Sequence, residues 1–201
     1  MTISQLWNHI VGEIDENNLP EISFDGLVEL KEISPRKGRD GNGGSKERQR
    51  KPSGRMTQVK KNLIGLAGEI HAYRVLLKTY GPGVVNPNCW ISENSLRKFP
   101  QNKVNDNYGC DFEVHYKGKT YYIEVKATEG DEESFELGLS EIRRALEVAN
   151  KRSAKFLILR IIKALSTEPE FQFLPNPYDK QYQRSYDIQN AGLRIRYSKS
   201  S

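Results

Sequence analysis

The stretch GCDFEVHYKGKTYYIEVKAT, residues 109–128, holds two runs of strict alternation around one glycine. In the first run Cys110, Phe112, Val114 and Tyr116 fall on one side, with Asp111, Glu113 and His115 on the other. In the second, Tyr121, Ile123, Val125 and Ala127 alternate with Tyr122, Glu124, Lys126 and Thr128. A period of two marks half-buried antiparallel strands. The link between them puts Gly118 where a tight turn needs a positive φ. With Lys117-Gly118 as the turn, Tyr116 pairs with Lys119 and Asp111 stands opposite Glu124. With Gly118-Lys119 as the turn, Asp111 faces Lys126 and lies diagonal to Glu124. Both registers put Asp111, Glu124 and Lys126 on one face.

Directly opposed carboxylates have Cβ atoms ~5 Å apart and repel unless a cation lies between them. Lys126 supplies one positive charge, and a divalent ion would supply the rest. Mg²⁺ suits the arrangement, because it takes one or two carboxylates and keeps waters for a substrate phosphate. A polar sheet face with incidental charges is the plainer explanation of the same residues. A third acid lies upstream in NLIGLAGEIHAYRVLL, residues 62–77. There Leu63, Leu66, Ala67, Ile70 and Leu77 share a face at helical spacing. Gly65 and Gly68 each cost ~1 kcal/mol in a helix interior, which suggests close approach of a backbone or a substrate. Glu69 follows directly and adjoins the apolar stripe.

Taken together, Gly65-x-x-Gly68-Glu69, Gly109-Cys110-Asp111 and Ile123-Glu124-Val125-Lys126 resemble the PD-(D/E)xK nuclease superfamily. The closer resemblance is to the domain at the C-terminus of the plant NO VEIN protein, also found in prokaryotic ATPase and defence proteins. It continues through Phe135 to Glu141, similar to that family's Ser-x-x-Glu-like helix start, then a helix, the strand Lys155 to Ile162, and a Pro-rich tail around Pro175 and Pro177. It covers roughly residues 59–178. Cys110 stands where the superfamily's name calls for Pro. The resemblance implies an α/β, restriction-endonuclease-like core, a central mixed sheet flanked by helices. It also implies a Mg²⁺- or Mn²⁺-dependent endonuclease that hydrolyses DNA in prokaryotic restriction or phage defence. Asp111 and Glu124, with the Val125 carbonyl, would hold the ion, and Glu69 would bind through water or hold a second one. Lys126 would orient the attacking water and offset transition-state charge. Tyr122 and Glu113 share the face around these groups.

Composition narrows the class. The 201 residues, 36% hydrophobic and 28% charged, allow one good-sized domain plus an appendage. No run approaches the ~20 apolar residues of a membrane span, and the N-terminus lacks a signal-peptide pattern. Two cysteines, Cys89 and Cys110, make neither a disulfide framework nor a zinc site. The expected location is therefore the cytoplasm, and His71 and His115 are expected to be surface or packing residues. The net charge of +5 is uneven: residues 35–61 hold ten Lys or Arg against Asp40 and Glu47, a segment of +8 that leaves −3 elsewhere. That segment is also rich in Gly, Ser and Pro, the composition of a disordered linker. It could tether the chain to nucleic acid or serve as a spacer.

The expected organisation has four parts. Residues 1–33 form a short helical element, with Leu6, Ile10, Val11 and Ile14 on one helix and Leu27, Val28 and Leu30 on a second. Residues 34–58 are the basic flexible linker, 59–178 the nuclease-like domain, and 179–201 an irregular tail with an edge strand at 193–197. Within the domain the order reads helix 59–79, strands 88–92, 110–116 and 120–128, helix 140–151, strand 155–162. The last strand should lie parallel to the Glu124 strand through a crossover. Ser140 is the expected N-cap of the second helix. Ile142, Ala145, Leu146 and Ala149 are its expected core face, and Arg143 an i, i+4 partner of Glu147. Arg97, Lys98 and Lys103 in a polar loop, and Arg143, are candidate phosphate contacts. Glu129, Asp131, Glu132 and Glu133 follow the Lys126 strand closely and should repel phosphates.

Expected partners are DNA and a larger ATPase or defence subunit, with a homodimer left open and no membrane. Two rival functions stand beside the nuclease. One is a non-catalytic nucleic-acid- or protein-binding module on the same fold. The other is an adaptor working through its acidic loop and basic tether. Convergence of Glu69, Asp111, Glu124 and Lys126 in the folded chain separates the nuclease from both.

Overall fold

Residues 156–162, FLILRII, form an almost unbroken apolar run and are buried throughout. A strand of this kind must be covered on both faces, and this one lies in the middle of the domain. We describe a computed structural model, covering residue 5 and residues 19–33, 58–189 and 194–200. The expected helix at Leu6 to Ile14 and the expected disordered linker lie outside the described residues.

A four-stranded mixed sheet, in the order β1-β2-β4-β5, is built from β1 (Phe112–Tyr116), β2 (Lys119–Ala127), β4 (Ala154–Ile162) and β5 (Glu170–Pro175). β1 and β2 form the antiparallel hairpin, with Tyr116 opposite Lys119 and Phe112 opposite Ile123. Lys117 (φ 48°) and Gly118 (φ 72°) are both left-handed, as a two-residue primed turn requires. That turn selects the first of the two expected registers, which is paired from Tyr116–Lys119 to Phe112–Ile123, with Asp111 one residue before it. β4 runs parallel to β2, with Glu124 beside Ile158, as the crossover expectation required.

Each face of the sheet carries one long helix. α1 (Gln58–Tyr80) covers the face bearing Phe112, Val114, Tyr121, Ile123 and Val125. It is buried on all sides, not along one stripe, from Leu66 to Leu76. Gly68 explains the close fit: a Cβ there would lie 2.5 Å from Ala127 Cβ, whereas Gly65 has open space around it. The expected close approach therefore holds for one glycine and not the other. α2 (Leu139–Val148) covers the opposite face with Ala145 and Val148. Leu146, expected in that core, is 55% exposed. The N-cap is Gly138, two residues before the expected Ser140: the helix begins at Leu139, and Glu141 Oε2 accepts the Gly138 amide at 2.9 Å. Glu147 pairs with Arg144 at 3.0 Å, not with Arg143.

Other expectations fail for reasons of tertiary pairing. The strand expected at 88–92 is a 3₁₀ turn, Pro87–Cys89, followed by a single bridge from Trp90 to Phe112. The tail is not irregular: β6 (Tyr186–Gln189) and β7 (Arg194–Tyr197) join β3 (Ser134–Glu136) in a second antiparallel sheet, β7 at its centre. Leu27 to Leu30 is not helical. Leu27 bridges to Phe173 and Leu30 to Lys199, so the segment is extended along both sheets. Phe24 is 4% exposed, stacked between Tyr80 (4.2 Å) and Tyr121 (4.0 Å). Residues 19–33 thus complete the core of the main domain.

Candidate functional site

The hairpin turn fixes the first part of the site. Asp111 lies one residue before β1, held by its own amide to Ile123 O (3.0 Å) and by its carbonyl to the Ile91 amide (2.9 Å). Its Oδ2 accepts the Val125 N–H at 2.8 Å. Cys110 departs from the expected alternation, since it precedes the strand and packs with the α2-side core. Glu124, 4% exposed, points to that same side from the middle of β2. Lys126, two residues on, brings its Nζ to 2.7 Å from Glu124 Oε1 and 2.9 Å from Glu141 Oε2.

Glu69 arrives from α1. The Gly68 contact seats the helix against β2, and Glu69 is then only 7% exposed. Its Oε2 accepts from Trp90 Nε1 at 2.7 Å and from Ser92 Oγ, and its Oε1 from Asn94 Nδ2. Both oxygens are therefore engaged by residues 90–94, and the carboxylate anchors that loop.

These groups meet at one cavity of about 340 Å³ lined by Glu69, Asp111, Glu124 and Glu141, with Glu93 and Asp106 at the 3₁₀ turns of the loop. The charge crowding shows in the pKa values. Burial, then Glu124 and Glu69, push Asp111 well above the usual carboxylate range. Burial, with Glu141 adding to it, raises Glu124 to about 8 against the pull of Lys126. Burial raises Glu69 despite its three hydrogen bonds. For Lys126 burial acts downward, yet Glu124 and Glu141 hold the ammonium above its ordinary value.

Three of the four expected site residues, Glu69, Asp111 and Glu124, line the cavity, and Lys126 adjoins it through Glu124 and Glu141. Val125 enters through its amide, which is bound to Asp111. Among the described residues no three His, Cys, Asp or Glu side chains are gathered as a ready metal cage. The donor chemistry still fits a hard divalent cation. It is an all-oxygen acidic set, partly buried and mutually repelling, with a single cation among it.

Arg97, Lys98, Lys103 and Arg143 are exposed and none lines the cavity. The acidic loop does not line it either. Glu129 pairs with Lys60 at 2.6 Å, and the Glu132 carbonyl accepts from buried Arg160 at 2.7 Å. Glu129 and Glu132 instead line a smaller pocket beside Lys61 and Ile64. His71 is fully buried, bonded to Ala164 O at 2.9 Å, with burial lowering its pKa to about 4. Ser92, Asn94 and Glu141 are the site residues that sequence reasoning did not place there. Only Glu141 carried a signal, as an acid in the first turn of a helix following the Lys126 strand.

The fold and the site define an α/β domain with a mixed sheet, a helix on each face and a buried acidic cavity beside one lysine. Residues 89–174 match the family model described as Protein NO VEIN, C-terminal, and over that stretch the chain is similar to that family. No curated protein and no solved structure matches the chain. No described helix is long and apolar enough to cross a membrane.

Proposed function

We propose that this domain is a restriction-endonuclease-like nuclease that hydrolyses DNA phosphodiester bonds with Mg²⁺ or Mn²⁺. One observation carries the reading. Glu69 from α1 joins Asp111 and Glu124 from the hairpin in lining one cavity, Lys126 sits beside it on Glu124 and Glu141, and burial and the crowding of carboxyls raise the pKa of all three. Asp111 and Glu124 would hold the ion, with Glu69 keeping the loop of residues 90–94 in place around it. Bound there, a divalent ion would polarise the scissile phosphate and lower the pKa of a water. Lys126, held protonated by its two carboxylates, would place its N–H donors toward the attacked phosphate. The Val125 amide orients Asp111, and burial of Glu124 keeps bulk water from competing for its oxygens. Work in restriction or defence, beside a larger ATPase subunit, is the setting we propose from the resemblance to the NO VEIN C-terminal family.

A second reading is a non-catalytic binding module. It is favoured by one specific observation, that Lys126 is committed to both Glu124 and Glu141. Incubation of supercoiled plasmid and single-stranded DNA with Mg²⁺ or Mn²⁺ separates the two readings. The nuclease reading expects metal-dependent cleavage, lost in Asp111→Ala and Lys126→Ala. Absence of cleavage together with absence of calorimetric Mn²⁺ binding would favour the binding module.

A further inference from the structure

The ammonium of Lys126 has two carboxylate partners on different elements. Glu124 is its neighbour on β2, at 2.7 Å. Glu141 is the third residue of α2, at 2.9 Å. The two are held very differently. Glu124 lines the cavity together with Asp111, where a divalent cation would bind. Glu141 Oε2 also accepts the Gly138 N–H at 2.9 Å, so it belongs to the helix start. That helix start has little freedom. Gly109, at φ +84°, lies so close beneath it that an added Cβ would stand 2.3 Å from Ser140 O. One turn along, Arg144 lies over the rings of Tyr108 and Tyr122, at 4.3 and 4.8 Å. Glu141 is therefore a fixed carboxylate beside an amine that Glu124 also holds.

A cation that takes Glu124 removes one partner of Lys126, whose side chain is only 19% exposed. An amine left unpaired at that depth would oppose ion binding, because breaking a buried pair strands a charge. We propose that Glu141 is a positioning residue, a second seat that keeps the Lys126 ammonium paired and aimed into the cavity when a divalent ion occupies Glu124. Ion binding then shifts the amine between two carboxylates instead of stranding it. The inference deepens the ion-binding reading given above and rests on it.

Two measurements test it, one of them free of metal. In the first, the Lys126 ammonium is observed by ¹H–¹⁵N correlation and assigned by its absence in Lys126→Met. The protected signal should survive in Glu124→Gln, where only Glu141 remains, and vanish in the Glu124→Gln/Glu141→Gln double variant. Loss in Glu124→Gln alone, or survival in the double variant, overturns the proposal. Gln at 141 can still accept the Gly138 amide, so the fold is expected to persist, which thermal melting checks. In the second, Mn²⁺ affinity is measured by calorimetry. Glu141→Gln should weaken it about tenfold, the scale of a group acting behind a metal ligand. In the Lys126→Met background the same change should have no effect. An equal loss in both backgrounds means that Glu141 acts on the ion directly, and overturns the proposal. If the wild type binds no Mn²⁺, the ion-binding reading fails, while the metal-free signal still decides whether Glu141 seats the amine.

Discussion

Replacing Glu124 by Gln should stabilise the metal-free protein, and increasingly so as pH rises. In the fold Glu124 is raised from 4.5 to about 8, whereas the unfolded chain returns it to its ordinary value. Between those pH values the folded state holds a proton that the unfolded state has released. The associated stability is fully present below pH 4.5 and is lost as pH rises through 8. The loss runs at ~1.4 kcal/mol per pH unit within the window, which puts the penalty near ~3 kcal/mol at pH 7 and ~5 kcal/mol well above pH 8. Gln resembles the protonated carboxyl and carries no such penalty. Urea denaturation of wild type and Glu124→Gln at pH 5 and pH 7 reads this group together with Asp111, Glu141 and Lys126, whose charges are tied to it, while the titrations of uncoupled groups cancel in the difference. The gap should widen by about 2–3 kcal/mol in favour of the variant. Mn²⁺ should narrow it, because an ion at 100 times its Kd adds ~2.7 kcal/mol to the wild type alone. A gap independent of pH, or a variant less stable at both values, would refute the account of a buried, repelled carboxylate.

His71 acts in the opposite direction. Kept neutral by burial with a pKa of about 4 against 6.5, it contributes stability that is present above pH 6.5 and lost as pH falls toward 4, up to ~3 kcal/mol. Acid denaturation of His71→Gln should show a shallower slope over that window than wild type. Gly68→Ala should destabilise by ~1–3 kcal/mol through the clash with Ala127, despite the better helix propensity of Ala. Gly65→Ala, with open space around it, should stabilise by ~0.5–1 kcal/mol, and thermal melts of the pair check both signs. Phe24→Ala should cost ~3–5 kcal/mol, because it empties a ring site between Tyr80 and Tyr121. A midpoint unchanged in denaturant would show that residues 19–33 are not part of the core.

What the sequence by itself determined was local and periodic. The alternation in residues 112–127, with Gly118 in a primed turn, specifies the hairpin. It also specifies the placement of Asp111, Glu124 and Lys126 on one face, because side chains of paired strands are bound to a period of two. Helix α1 and strand β4 were legible from apolar spacing, and Glu69 from the two glycines before it. Tertiary structure decided everything that depends on a partner distant in the chain. Segments as short as 134–136 and 186–189 carry too few alternating residues to declare themselves and are strands through their pairing with residues 194–197. Leu27 and Leu30, spaced as on a helix, are extended because β5 and Lys199 offer open hydrogen-bonding edges. The same holds within the site. That Ser92, Asn94 and Trp90 would satisfy Glu69, and that Glu141 would share Lys126, follows from where loop and helix dock, since a buried charge must find its partners wherever the packing brings them.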